Sequence, residues 1–252
     1  MSTFGHLKPR VIHREPWILS FDEFLQPWEA DHLVKTAGHN FERSLAGDGV
    51  TPVRTSTTSW CNVVPCLQDA KFQEVRERIV NVTRVPWANA EHLQVLRYQP
   101  GQFYREHHDQ NSPVFSAWGP RLFTFFMYLS DVELGGATRF TKLNISVVPR
   151  KGSAILWPSV RSDDPWTIEE GTHHEAVTVD KGIKYAANFW IHMASGAPRI
   201  DSSRMRAHER PADRGACAAA VVRVSSSSKT LSSRVATTKT TSKTACSTPP
   251  SL

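Results

Sequence analysis

Two short stretches bring together side chains that bind divalent metals. Tyr104 to Gln110, YREHHDQ, sets two histidines side by side with an aspartate after them, and EGTHHEAVTV carries a second pair, His173 and His174. If the first stretch runs extended, neighbouring side chains point to opposite faces and residues two apart share one. His107 and Asp109 then face together, and His108 turns away. A third ligand has to come from elsewhere, and the second histidine pair offers it from either of its members. Two imidazoles and one carboxylate leave positions open on a metal for substrate and oxygen, the facial arrangement suited to non-haem Fe(II). A His-x-Asp pair alone is common by chance and in a surface loop is simply solvated, so the surrounding chain has to decide.

The elements that would position these residues fall between Trp17 and Ser195, helices first and strands after. QPWEADHLVKTAG has a proline suited to a first helical turn, apolar Trp28, Leu33, Val34 and Ala37 to one side, and Gly38 as a stop. AKFQEVRERIVNVT repeats Phe72, Val75, Ile79 and Val82 at the spacing of one helix face. After Pro86 come short runs rich in β-branched and aromatic residues, separated by Gly, Pro, Asn and Asp: LQVLRY, RLFTFFMYLS, ISVVP, SAILWP, HEAVTV and KYAANFWIH. So many short strands with so few helices between them do not suit a parallel sheet. The expected fold class is α+β, mainly β: a double-stranded β-helix, or jelly roll, which protects its edges, with N-terminal flanking helices.

Composition narrows the function classes. At 252 residues and 40% hydrophobic, the chain can build a sizeable core. Its net charge of +6 hints at nucleic acid, but the charge is unevenly spread. Ten lysines and arginines against three acids lie from Arg199 onward, a surplus of seven that leaves the preceding residues at −1. That Ser-, Thr- and Lys-rich segment, 197–252, has almost nothing large to bury and is expected to be a disordered tail. Residues 1–16 are expected to be an N-terminal extension, and 17–196 the globular domain. Nucleic acid is therefore not an expected partner. The four cysteines, Cys61, Cys66, Cys217 and Cys246, have neither the density of a disulfide scaffold nor the spacing of a zinc site. With no signal-like or membrane-spanning apolar run, the chain is expected to be soluble, with its compartment and oligomeric state open.

The stretch YQPGQFYREHHD resembles the Tyr-x-x-Gly-x-x-Tyr-x-x-His-x-Asp segment of the prolyl 4-hydroxylases, the Fe(II)- and 2-oxoglutarate-dependent dioxygenases of the algal, plant and collagen type. RTSTTSW, LQVLRY, FFMYLSDVELGGATRF, VVPRKGSAILWP and GIKYAANFWIH are similar to further family segments, in the family's order, so that the likeness runs from about Pro9 to His192. The resemblance implies that His107, Asp109 and His174 hold the iron. The family places a lysine ten residues after its distal iron histidine, and Lys184 stands ten after His174 and eleven after His173. His173 is then a neighbour on the opposite strand face, and His108 a bystander.

The same resemblance implies that Lys184 anchors the far carboxylate of 2-oxoglutarate, assisted by the hydroxyls of Thr138 and Tyr98, and that O₂ and L-ascorbate are also required. A peptidyl proline would lie in a groove formed by Arg121, Glu91, Tyr104, Trp190 and His192, with Arg54 a further candidate, and would leave as 4-hydroxyproline alongside succinate and CO₂. Oxygen-sensing prolyl hydroxylases, which generally anchor 2-oxoglutarate with arginine, are a less similar group. Two departures stand out: Ala137 in GGAT where the family often has glutamate, and Thr178 where it often has proline. They bear on peptide preference and turnover rather than on the iron ligands. The polar run SVRSDDPWTIEEGT is expected to be a loop near the mouth of the site. Competing readings are an oxygenase acting on another protein residue or a small molecule, and a catalytically silent peptide-binding module.

Overall fold

In the computed structural model, residue 7 and residues 9–195 are described, except for residues 39, 48 and 114. The expected tail, with Cys217 and Cys246, lies outside the described residues. Among the described residues, fourteen strands and two α-helices follow in chain order. They are β1 (Arg10–Arg14), β2 (Trp17–Phe21), α1 (Pro27–Ala37), β3 (Glu42–Arg43), β4 (Thr57–Trp60), α2 (Ala70–Thr83), β5 (Gln94–Tyr98), β6 (Tyr104–His107), β7 (Arg121–Tyr128), β8 (Leu134–Gly135), β9 (Thr138–Phe140), β10 (Ile145–Val147), β11 (Ala154–Pro158), β12 (His174–Ala176), β13 (Val179–Lys181) and β14 (Lys184–His192).

Both helices form where their apolar spacing predicts. α1 opens on proline, and the Gln26 amide donates to Glu29 Oε2 at 2.8 Å. The Asp69 carboxylate caps α2 by accepting from the amides of Lys71 and Phe72, and Arg84 ends it in the left-handed region at φ 60°. Phe72, Val75 and Ile79 are buried on its inner face.

All strand pairs are antiparallel, in an eight-stranded sheet of order β1-β2-β11-β7-β14-β5-β4-β3, a four-stranded sheet β10-β9-β12-β6, and a small pair β13-β8. This is the expected double-stranded β-helix. The period of two splits the core. On β7 and β11, Phe125, Met127, Ala154 and Leu156 pack toward the helices, whereas Phe126, Tyr128, Ile155 and Trp157 pack toward the small sheet. On β14, Ala187, Phe189 and Ile191 join the helix-side core, so Lys184, Ala186, Asn188, Trp190 and His192 share the other face.

Some details differ from the sequence expectations. The run HEAVTV does not form one strand: β12 pairs with β6 and β9, while β13 leaves to pair with β8. The first strand of the large sheet, β1, lies within the segment expected to be an N-terminal extension. Cys61 and Cys66 form a local disulfide directly after β4.

Candidate active site

β6 ends on His107 and β12 begins on His174, and these two residues are register partners. Their Cβ atoms are thereby held on neighbouring strands, and Asp109 follows two residues beyond the first. His107 Nδ1 lies 2.9 Å from the Arg105 carbonyl and His174 Nδ1 lies 2.9 Å from the Thr172 carbonyl. A carbonyl only accepts, so each Nδ1 carries the proton and each Nε2 presents a lone pair. Both Nε2 atoms sit 3.7 Å from the Asp109 carboxylate, one from each oxygen. Ligand atoms of the three residues all lie within 4.8 Å of one another.

The carboxylate is also held from behind, where Thr124 Oγ1 donates to Asp109 Oδ2 at 2.6 Å. Burial pushes the Asp109 carboxyl upward, but His174, His107 and the Thr124 bond outweigh it and bring it to about 2. Burial foremost, and then the neighbouring His174, drives His107 well below its usual range. A carboxylate held ionised beside two imidazoles whose Nε2 atoms converge on it is a donor set that fits Fe(II). His173 points elsewhere: its Nδ1 donates to the Glu170 carbonyl at 2.9 Å. His108 also faces away from the trio, as alternation requires, but its ring nitrogens are hydrogen-bonded to the chain on both sides.

Lys184 opens β14 opposite Tyr98 and is fully buried. Its Nζ donates to the Gly136 carbonyl at 2.7 Å and lies 5.3 Å from the centre of the Tyr98 ring. Among the described residues no carboxylate pairs with it, and burial lowers its ammonium to about 7. Tyr128, which sequence reasoning missed, donates its hydroxyl to Thr138 Oγ1 at 2.8 Å. A buried cation with hydroxyls around it and no internal anion suits a carboxylate from outside.

A cleft of about 450 Å³ runs past the trio, with Tyr98, Thr138, His107, Asp109 and His174 along its walls. Arg54, Glu91, Tyr104, Arg121 and Trp190 line it as well, whereas His192 stands behind Glu91. Arg121 Nε donates to Glu91 Oε1 at 2.6 Å, and His192 Nε2 lies 2.8 Å from the same oxygen. Burial works to raise the Glu91 carboxyl, but His192 and Arg121 hold it below its usual range. The Arg121 guanidinium lies 4.1 Å from the Trp190 ring centre. Tyr104 stacks on His107 at 3.6 Å, with the Arg54 guanidinium 4.6 Å from the tyrosine ring. Of the sequence-predicted site residues, all but Lys184 and His192 line this one cleft; Lys184 lies beneath Tyr98 and His192 behind Glu91. The structure adds Trp60, 6.1 Å from Trp190, and the Asn188–Gln94 amide pair at 2.9 Å. Asn188 was findable, because it occupies the same β14 face as Lys184, Trp190 and His192.

Fold and donor set together define a 2-oxoglutarate oxygenase, and residues 93–192 match the 2OG-Fe(II) oxygenase superfamily. The chain is 34% identical over 211 residues to prolyl 4-hydroxylase 1 of Arabidopsis thaliana, covering 74% of this chain and 72% of that one. It is 32% identical over 199 residues to human prolyl 4-hydroxylase subunit alpha-3, covering 74% of this chain and 35% of the subunit. Among solved structures, the viral collagen prolyl hydroxylase of Paramecium bursaria Chlorella virus-1 in its 2OG complex superposes with a TM-score of 0.54 at 28% identity, covering 69% of this chain and 95% of that one. The chain belongs to the prolyl 4-hydroxylase family. It is an Fe(II)- and 2-oxoglutarate-dependent dioxygenase. Among the described residues no helix is long and apolar enough to cross a membrane.

Proposed function

We propose that the chain hydroxylates a peptidyl proline at C4, with His107, Asp109 and His174 as the iron ligands and Lys184 as the 2-oxoglutarate anchor. The observation that carries this reading is the convergence of two Nε2 atoms and one carboxylate in a cleft also lined by Tyr98, against whose ring lies a buried lysine with no carboxylate partner among the described residues. When bound, Fe(II) with 2-oxoglutarate would supply the chemistry that splits O₂, one oxygen atom entering a substrate C–H bond and the other succinate, with release of CO₂.

The residues of the chain bind and orient. Lys184 pairs with the distal carboxylate of 2-oxoglutarate, and the hydroxyls of Thr138 and Tyr98 complete that pocket. Trp190 and Tyr104 present flat faces to a proline ring. Arg121, Glu91 and Arg54 hold peptide polar groups, and His192 keeps Glu91 in place. L-Ascorbate acts as the supporting reductant. The catalytic domain is assigned to 17–196 together with β1, which completes the edge of its large sheet, and the Cys61–Cys66 disulfide supports residence in an oxidising compartment such as the secretory lumen.

Incubating the protein with Fe(II), 2-oxoglutarate, ascorbate and a proline-rich peptide is expected to add one oxygen to proline and to release matching succinate. His174→Ala is expected to abolish both. Succinate release with every proline in a peptide panel left unmodified would instead assign a different substrate, and no succinate with any peptide would remove the catalytic reading.

A further inference from the structure

The histidine between the two metal-facing residues has no part in the reading above, yet it is one of the most closely held side chains near the site. His108 Nδ1 accepts from the backbone amide of Gln110 at 3.0 Å. A ring nitrogen that accepts an N–H carries no proton, so the hydrogen of the neutral ring sits on Nε2. Nε2 lies 3.1 Å from the Glu169 carbonyl and 3.2 Å from Thr172 Oγ1. Thr172 Oγ1 itself donates to the Glu169 carbonyl at 2.9 Å, so the imidazole N–H points at a small acceptor group within one turn. Thr172 is fully buried, and its carbonyl is the acceptor that sets the tautomer of His174.

The location gives these bonds their meaning. The pairing of β6 with β12 ends at His107 opposite His174, because β6 stops and β12 starts there. Past that pair the chain carries Asp109 on one side and the turn Glu170–Thr172 on the other, with no further rung of that ladder. His108 supplies a cross-link at that place. One ring nitrogen holds its own segment, and the other holds the segment that delivers the distal histidine.

We propose that His108 is a positioning residue for the metal centre: a side-chain clip that fixes the spacing between the His107–Asp109 segment and His174 before metal arrives. The proposal rests on the assignment of those three residues as ligands. Loss of a hydrogen bond to a metal ligand typically changes affinity by about 10- to 100-fold, and the His108 bonds act one step further out, on the turn whose Thr172 carbonyl holds His174, so the lower end of that range applies. A clip on the apo protein acts on metal affinity. It leaves turnover at saturating metal, and the KM values for 2-oxoglutarate and peptide, unchanged.

Two amide substitutions separate the clip from a purely local role. His108→Gln places an amide N–H where Nε2 was and keeps the bond to the Glu169 turn. His108→Asn places an oxygen where Nδ1 was and keeps only the bond to Gln110. Titration of the metal-free full chain with Co(II), followed by its visible absorption, gives the affinities. We expect His108→Asn and His108→Phe to bind Co(II) about tenfold more weakly than the parent, and His108→Gln to bind within about threefold of it. Equal affinity in all variants overturns the proposal, and so does weaker binding by Gln than by Asn. The Asn and Gln pair keeps the test decisive if the Phe variant does not fold. His174→Ala is run alongside: Co(II) binding unchanged in that variant defeats the ligand assignment itself, whereas its loss with no effect at residue 108 defeats only the clip.

Discussion

A lysine with no exposed surface and no carboxylate partner among the described residues is an expensive placement, and its energetics predict how the site fills. Burial holds Lys184 near 7, below its usual 10.5, so between those values the unfolded chain carries a proton that the folded chain does not. Stability from this residue therefore rises with pH across that window and is flat below about 7. The charge of an arriving carboxylate favours the ammonium. Binding of 2-oxoglutarate at pH 8 is thus expected to draw in on the order of one proton. Calorimetry in two buffers of different ionisation enthalpy measures this directly, and a heat independent of buffer would exclude it. Lys184→Met should remove the pH dependence of stability in that window while raising the KM for 2-oxoglutarate by about a hundredfold, the scale for truncating one member of a buried charged pair. Gly135 illustrates another residue-level constraint. It has φ +79°, and a Cβ there would meet the Thr178 carbonyl at 2.2 Å. The two departures from the family pattern therefore sit on facing segments: the Val177 amide donates to the Ala137 carbonyl, and the Gly136 amide to that of Thr178.

At the scale of elements, legibility followed periodicity. β7, β11 and β14 are long enough for alternation to show, and they carry most of the division between the helix-side core and the site. β3 and β8, at two residues each, have no period to read, and they exist because longer neighbours pair with them. The same reasoning explains HEAVTV, whose composition predicts one strand while its backbone changes sheets midway. The ligand choice between His173 and His174 was likewise beyond alternation alone and came from the resemblance, since the family's ten-residue step from distal histidine to lysine fits Lys184 only from His174. The packing of the helices was only half legible. The apolar face of α2 was plain, but the contact between α1 and α2 includes a bidentate pair, Arg78 to Glu29 at 2.9 and 2.7 Å, spanning residues far apart in sequence. Glu29 is buried, and although burial pushes its carboxyl upward, the Arg78 bonds bring it below its usual value. Arg78→Ala leaves that charge with the Gln26 amide but without its ion-pair partner and is expected to cost about 3 kcal/mol in denaturant unfolding at neutral pH. Because the folded carboxyl is depressed, this contribution is present above about pH 4.5 and fades as pH falls through the folded value, so parent and variant should converge in acid. A gap that widens in acid would contradict the assignment.

At the scale of the whole molecule, the segment before Trp17 packs against the turn that leads into β12, which predicts an effect on the ligand segment. β1 covers the edge of β2, and His13 Nδ1 donates to the Pro16 carbonyl at 2.9 Å within the connecting turn. That turn rests against the approach to β12: a Cβ added to Gly171 would lie 2.9 Å from Pro16 Cδ. Gly171 is one residue from Thr172, whose carbonyl fixes the His174 tautomer. Composition could not reveal this, because RVIHR is short and charged at both ends and pairs only once the rest of the sheet exists. Deleting residues 1–8 removes neither β1 nor the turn but does remove Leu7, which packs against the helix-side core, so the melting temperature should fall slightly while metal affinity holds. Deleting residues 1–16 uncovers the β2 edge and removes Pro16, so the melting temperature should fall by several degrees. Co(II) affinity should fall with it, while the KM for 2-oxoglutarate, set on β14 and β9, holds. Gly171→Ala tests the same contact without touching the edge: it should weaken Co(II) binding with little change in melting temperature. If the longer deletion lowers stability but leaves Co(II) affinity intact in the folded protein, the N-terminal strand is an edge cover and has no hold on the ligand segment.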